Sequence, residues 1–250
     1  MLKQSVARWC YSKTSMEDLA REGARMGLKG IDLIGPEDWP VAQKYGLVPA
    51  MVQPAGVTIP DGWNRKENHD RLEAIYREAI PKLAAAKAPN VIALSGNRKG
   101  MSDEEGMMNT VSGLRRITRL AEDENITICL ELLNSKVNHK DYMCDRTAWG
   151  VEVCRRVDSP RMKLLYDIYH MQIMEGDVIR TIRENIGYIA HFHTGGVPGR
   201  HELDDTQELR WRGIATAISA LGFTGYFAHE FIPVNDPIRS LEEAVKLCSV

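Results

Sequence analysis

At 250 residues the chain has the length of one eight-stranded βα barrel and enough mass to bury a substantial core. Its 32 Lys and Arg against 34 Asp and Glu give a formal charge of -2, which excludes the global basic field expected of a nucleic-acid partner and leaves a small polar substrate as the simpler fit. Five cysteines, odd in number and without a close CxxC pair, fit reduced thiols rather than a disulfide framework or zinc knuckle, so the cytoplasm is the expected compartment. Residues 1–10 hold no apolar signal core, and no later segment approaches the roughly 20 apolar residues a spanning helix needs, so neither export nor membrane insertion is expected.

The first strand is predicted over residues 3–7, followed by a helix that opens near Ser15, a capping residue with Asp18 three positions later, and that ends at the glycines of 27–30. Apolar runs at 30–34 and 47–52 read as strands around a short helix after Pro36, placed there by the first-turn preference of proline. Leu72, Ile75, Ala79, Leu83 and Ala86 recur at helical spacing within 65–87, with Asn64 as the expected cap, and 91–94 supplies the next strand. Helices at 107–123, 145–157, 178–184 and 210–221 then alternate with strands at 126–130, 162–166, 188–192 and 226–228. Strands joined by helical crossovers imply parallel pairing, and about eight such units fit a closed (β/α)8 TIM barrel, one domain over 1–250, better than an open doubly wound sheet. The longest irregular stretch, 53–64, is expected to form a wall of the active site.

Four of the last strands end in a side chain able to bind a metal: Glu131, Asp167, His193 and Glu230. Residues so far apart in sequence converge only if their strands are neighbours and each side chain stands at a C-terminal strand end, as a barrel provides. The period-two rule puts Glu131 on the face of Cys129, His191 one layer below His193, and Glu230 on the face of Ala228, leaving His229 to point toward a helix. Three desolvated carboxylates repel one another strongly unless a cation joins them. Such an oxygen-rich set with one histidine suits one divalent ion, Mn²⁺ or Mg²⁺, with Co²⁺ or Zn²⁺ also compatible. An ion bound there would engage adjacent carbonyl and hydroxyl oxygens of a substrate and stabilise an enediolate while a glutamate moves the carbon-bound proton. His170, three residues after Asp167, is placed to share that substrate.

The run His193-Thr-Gly-Gly-Val-Pro-Gly-Arg-His-Glu202 is the most distinctive stretch, and with Gly35-Pro-Glu-Asp-Trp-Pro40, Gly62-Trp-Asn-Arg-Lys-Glu-Asn-His69, Glu131-Leu-Leu-Asn134, Asp167-Ile-Tyr-His170 and Glu230 it resembles the hydroxypyruvate isomerases of the xylose isomerase-like sugar isomerase/epimerase superfamily over nearly the whole chain. The resemblance implies a TIM barrel in which Glu131, Asp167, His193 and Glu230 hold the metal and Glu131 and Glu230 also form the catalytic proton-transferring pair. It implies substrate-binding roles for His170 and Arg200, with His69 a secondary pocket candidate whose bare sequence context reads as a first-turn surface residue. It also implies a homo-oligomer. The guanidinium of Arg200 can fork onto an oxygen pair, in keeping with that role. Two departures lie at the same site: hydroxypyruvate isomerases commonly carry glutamine where this chain has His193, the residue used by related ketose epimerases, and a Pro-Gly-x-Gly-Glu run where this chain has Leu203-Asp-Asp-Thr-Gln-Glu208. Asp204 and Asp205 would repel an anionic substrate if they faced the pocket.

The expected function is therefore a metal-dependent isomerase interconverting hydroxypyruvate and tartronate semialdehyde, or a similar small 2-keto/aldehyde pair, through an enediolate. The nearest alternative is a ketose 3-epimerase; a keto-sugar or keto-inositol dehydratase and a non-catalytic sugar-binding barrel stand behind it. A phosphoesterase is disfavoured by the small number of strand-end histidines and the lack of a basic face. Thr194-Gly-Gly196 reads as a tight turn rather than a phosphate cradle. Trp9, Trp39 and Trp63 are candidates for a sugar-pocket wall or a subunit contact. Trp149, Trp211 and the pair Met107-Met108 read as packing residues, and Arg115-Arg116 and Arg155-Arg156 as solvated helix faces.

Overall fold

The computed structural model describes residues 1–250. Eight parallel strands are β1 (Lys3–Ala7), β2 (Gly30–Asp32), β3 (Val48–Pro49), β4 (Asn90–Ala93), β5 (Thr127–Glu131), β6 (Met162–Asp167), β7 (Ile189–Thr194) and β8 (Tyr226–His229). They are ordered β3-β2-β1-β8-β7-β6-β5-β4. The two end strands meet through a parallel bridge between Val52 and Val91, in which Val52 N–H donates to the Asn90 carbonyl at 3.2 Å and Ile92 N–H to the Val52 carbonyl at 2.9 Å. The Asn90 side-chain amide adds a bond to the Ala50 carbonyl at 2.9 Å, so the weakest seam is stitched by side chain as well as backbone. The (β/α)8 TIM barrel read from the alternation is what the chain forms.

Around the strands lie α1 (Met16–Met26), α2 (Trp39–Lys44), α3 (His69–Ala85), α4 (Asp103–Asp123), α5 (Thr147–Val157), α6 (Ile168–Met174), α7 (Val178–Asn185), α8 (Trp211–Ala220) and α9 (Pro237–Cys248). Ser15 caps α1 by accepting from Asp18 N–H at 3.0 Å, as its sequence predicts. Elsewhere the helix starts move for local reasons. Ser102 accepts from Glu105 N–H and opens α4 at Asp103, ahead of 107, where the apolar pattern begins. Asn64 does not cap α3: its amide donates to the Asn97 carbonyl at 2.8 Å, and the helix begins only at His69 after a 3₁₀ turn. The first-turn proline of α2 is Pro40, not Pro36. The run at 30–34 ends early as a strand because Leu33 takes a left-handed conformation, φ 60°.

Two helices lack an expectation from sequence. α6 follows β6 without a loop because Asp167, the last strand residue, accepts from His170 N–H at 3.1 Å and so caps the helix it precedes. α9 is capped by Asp236 and carries Pro237 in its first turn. The cysteines are free and buried, and no helix is long and apolar enough to cross a membrane.

One continuous apolar core fills the space between the sheet and the helices, and a small cluster of Met51, Ile92, Cys129 and Leu165 fills the barrel interior. Trp149 and Trp211 are buried packing residues, whereas Met108 is exposed while its neighbour Met107 is buried, correcting the expectation that both fill the core.

Candidate active site

Glu131, Asp167 and His193 stand at the C-terminal ends of β5, β6 and β7, and Glu230 follows the last residue of β8. Because side chains alternate along a strand, these positions aim into the barrel mouth, and all four are buried. Glu131, Asp167 and His193 each offer a ligand atom within 4.8 Å of the others. Glu230 joins them through His193, whose Nδ1 lies 2.8 Å from Glu230 Oε2 and 3.8 Å from Glu131 Oε1. His193 Nδ1 makes no well-formed hydrogen bond despite complete burial. Three buried carboxylates around an imidazole nitrogen without a hydrogen-bond partner form a donor set that fits one hard divalent cation.

Arg200 sits in the same cage. One guanidinium nitrogen donates to Asp167 Oδ2 at 2.6 Å and also to Glu230 Oε2, the other lies 2.8 Å from His170 Nε2, and Nε donates to the Glu230 carbonyl at 3.0 Å. Its Cζ lies over the Tyr169 ring, 4.7 Å from the centre, and 5.8 Å from the centre of the Trp9 ring. The loop that delivers it is tight: Arg200 itself has φ 57°, and a Cβ at Gly195 would meet its side chain at 2.9 Å. Arg200 thus pairs with two of the predicted metal ligands, beyond the substrate-binding role inferred from sequence.

The two glutamates are driven in opposite directions. Burial pushes the Glu131 carboxyl up to about 8, with the nearby Glu230 and Asp167 charges adding to the rise and His193 opposing it. Burial acts on Glu230 as well, but His193, Arg200 and the Trp9 hydrogen bond outweigh it and hold this group well below the usual carboxylate range. Asp167 is raised by burial, against the pull of Arg200. His170 is held neutral by burial and by the adjacent Arg200 charge. Paired carboxylates whose environments separate their proton affinities are the arrangement that acid–base chemistry requires.

A cleft of about 410 Å³ opens over this cluster. Its polar wall carries Glu131, Glu230, His170, Arg200, His139 and Asn138, and its apolar wall includes Trp9, Tyr169 and Ile232. His170 is clamped by the Asn134 N–H onto its Nδ1 at 3.2 Å, leaving Nε2 toward the cleft and Arg200.

Other sequence expectations fall outside the cleft. His69 is not a pocket residue, nor a surface one: it is buried with Nε2 2.9 Å from the Trp63 carbonyl, in a space that exists because residue 113 is glycine. Trp63 packs on His69 and Tyr76, and Trp39 donates to the Ile34 carbonyl in a separate groove, so of the three candidate tryptophans only Trp9 lines the cleft. Asp204 and Asp205 are exposed and do not face the cleft. Of the loop 53–64, only Gln53 and Ile59 reach it.

Two contacts had no sequence expectation. Trp9 Nε1 donates to Glu230 Oε1 at 2.6 Å, and Asp32, closing β2, meets His191 and His193 below the predicted ligands. Asp32 was passed over because it falls in the middle of the apolar run 30–34, and only the early end of β2 at residue 32 makes it a strand-end acid.

The family described as xylose isomerase-like TIM barrel matches residues 23–248. The chain belongs to this family. Among curated relatives, a putative hydroxypyruvate isomerase of Mus musculus is 24% identical over 236 residues, covering 87% of this chain and 84% of its own. The 2-oxo-tetronate isomerase of Haemophilus influenzae is 25% identical over 243 residues, 93% of each chain. Among solved structures, an AP endonuclease, family 2, from Brucella melitensis superposes with a TM-score of 0.86 at 21% identity over 96% of this chain and 97% of that one. The D-psicose 3-epimerase of Clostridium cellulolyticum H10 does so with a TM-score of 0.75 at 19% identity over 98% and 90%. At these identities the structural likenesses speak for the fold.

Proposed function

We propose that the protein is a metal-dependent isomerase that moves a proton between adjacent carbons of a small 2-keto/aldehyde pair through an enediolate, the reference pair being hydroxypyruvate and tartronate semialdehyde. The observation that carries this reading is the convergence of Glu131 and Glu230, with opposite proton affinities, on one buried imidazole nitrogen beside Asp167. The isomerase relatives matched over most of the chain support the same class.

Glu131, Asp167, His193 and Glu230 would hold the cation, whose chemistry is to polarise the neighbouring carbonyl and hydroxyl oxygens and so acidify the carbon-bound proton between them. Glu131 and Glu230, facing each other across His193, would form the proton-transferring pair, with Glu230, whose charge is held by His193, Arg200 and Trp9, taking the proton and Glu131 handling its return. His170, oriented by Asn134, and Arg200, held against Tyr169, position substrate oxygens between the two carboxyls. The Trp9 indole N–H fixes the Glu230 carboxylate, and its ring covers that side of the cleft.

A second reading, a ketose 3-epimerase, draws on one feature of the cleft. Arg200 is its only Lys or Arg, and its guanidinium is already committed to Asp167, Glu230 and His170, so the carboxylate of a keto acid finds no unpaired protein cation, whereas a neutral ketose needs none. Removing a proton with one glutamate and returning it from the other would invert a carbon centre. The test is product analysis with Mn²⁺-loaded protein supplied with hydroxypyruvate, 2-oxo-tetronate and a ketohexose. An aldehyde/ketone interconversion supports the isomerase, a C3 epimer of the ketohexose selects the second reading, and loss of water or no product with any of them refutes both.

A further inference from the structure

Below the ligand cluster the barrel holds a deeper polar group that no step above uses. Asp32 is completely buried, with Oδ2 2.5 Å from His191 Nε2 and 3.3 Å from His193 Nε2. β1 and β8 lie between β2 and β7 in the sheet, so this contact crosses the barrel interior rather than joining neighbouring strands. Ala7, in register with Asp32, and Ala228, in register with His193, are the small residues at the intervening positions. Asp32 Oδ1 has no partner at all, so the two imidazoles are the only groups that compensate this carboxylate.

The consequence lies in the two ends of the His193 ring. A neutral imidazole has one N–H and one lone pair, and a carboxylate only accepts. When Nδ1, which faces Glu131 and Glu230, gives its lone pair to a cation, the single proton of the neutral ring lies on Nε2, where Asp32 is placed to accept it. A carboxylate behind a metal-binding histidine fixes its tautomer and ring orientation in this way. We propose that Asp32 is a positioning residue that locks His193 as the Nε2–H tautomer and aims Nδ1 into the ligand set, with His191 as the second donor that anchors the Asp32 carboxylate. The inference rests on the metal-dependent reading above, and it goes further by assigning a role to two residues outside the ligand set.

The test is calorimetric titration of Mn²⁺ into the metal-free wild type and Asp32→Asn, with thermal unfolding in EDTA as a check on the fold. The expected result is a roughly 10- to 100-fold weaker Mn²⁺ affinity in folded Asp32→Asn. A folded variant that binds Mn²⁺ within twofold of the wild type overturns the role of Asp32 while leaving the metal-dependent reading intact; a wild type that binds no Mn²⁺ overturns both. The wild type supplies a readout that does not depend on the folding of Asp32→Asn: ¹⁵N-histidine correlation spectra of the Zn²⁺-loaded protein. A His193 signal with its proton on Nε2 supports the assignment, and one with its proton on Nδ1 overturns it.

Discussion

Replacing Arg200 by methionine keeps most of the side-chain volume and removes the guanidinium buried against Asp167 and Glu230. Asp167 is 0% and Glu230 5% exposed at the side chain, and Arg200 itself only 12%, so solvent screens these pairs little. Breaking a buried pair from one side costs about 3–5 kcal/mol, because the carboxylates left behind are uncompensated. For a chain of this size 1 kcal/mol corresponds to roughly 2–4 °C, so Arg200→Met in EDTA should melt about 6–20 °C below the wild type. A divalent ion bound by the same carboxylates restores the missing positive charge. Ligand at 100 times its dissociation constant adds about 2.7 kcal/mol by mass action, so at one fixed Mn²⁺ concentration the gap between variant and wild type should narrow visibly. The assay is differential scanning calorimetry of both proteins, with EDTA and with Mn²⁺. A variant melting within 2 °C of wild type in EDTA, or a gap that Mn²⁺ leaves unchanged, would refute the view that Arg200 and the cation serve the same carboxylates.

Trp9→Phe keeps the aromatic wall but deletes the 2.6 Å bond to Glu230 Oε1, and a lost hydrogen bond to a charged group of about 1.5–3 kcal/mol predicts a fall in kcat/KM of roughly 10- to 100-fold with little change in melting temperature. Gly62→Ala would drive a methyl group into the Leu94 carbonyl and the Gly96 backbone, where Trp63 N–H and Asn64 N–H bond to residues 94 and 95; urea unfolding should show a loss of about 2–3 kcal/mol or more. Glu202 is buried and accepts from Val234 N–H at 2.9 Å, Asn235 N–H at 3.0 Å and the Ser240 hydroxyl at 3.0 Å. Burial opposes its ionisation, but those bonds prevail and hold its carboxyl below the ordinary value of 4.5. A depressed carboxylate stabilises the fold fully above its unfolded pKa, and that contribution fades as pH drops from about 4.5 through the lower folded value; Glu202→Gln should flatten the acid limb of a pH-melting curve.

Much of the site was legible because strand periodicity is a strict rule. Glu131, Asp167, His193 and Glu230 each end an apolar run, and side-chain alternation alone puts them on the inner face. What sequence could not show was the partners. Nothing local marks Arg200 as reaching back to Asp167 and Glu230, since that contact depends on the left-handed turn at 199–200. Asp32 hid in the middle of the apolar run 30–34, whose strand stops at residue 32, and its partners lie across the barrel. His69 was misplaced because the space that buries it belongs to Gly113, on a different helix. In the fold, β3 was overextended at its start because Leu47 is apolar through packing and its N–H closes the end of α2, and α9 carries too mixed a face to stand out without its Asp236 cap. Asp167 both caps α6 and joins the carboxylate cluster at the barrel mouth, and the strand-to-helix junction it creates explains why no loop separates them.

The most direct measurement is deuterium incorporation at the carbon next to the carbonyl, followed by NMR in D₂O for hydroxypyruvate and a ketohexose, with Mg²⁺-loaded protein, metal-stripped protein and Glu131→Gln. Enediolate proton transfer predicts exchange that requires the metal and is abolished in Glu131→Gln, and the substrate that exchanges separates isomerase from epimerase. Metal-loaded wild type that exchanges no proton in either substrate, or Glu131→Gln that exchanges as fast as wild type, would contradict it.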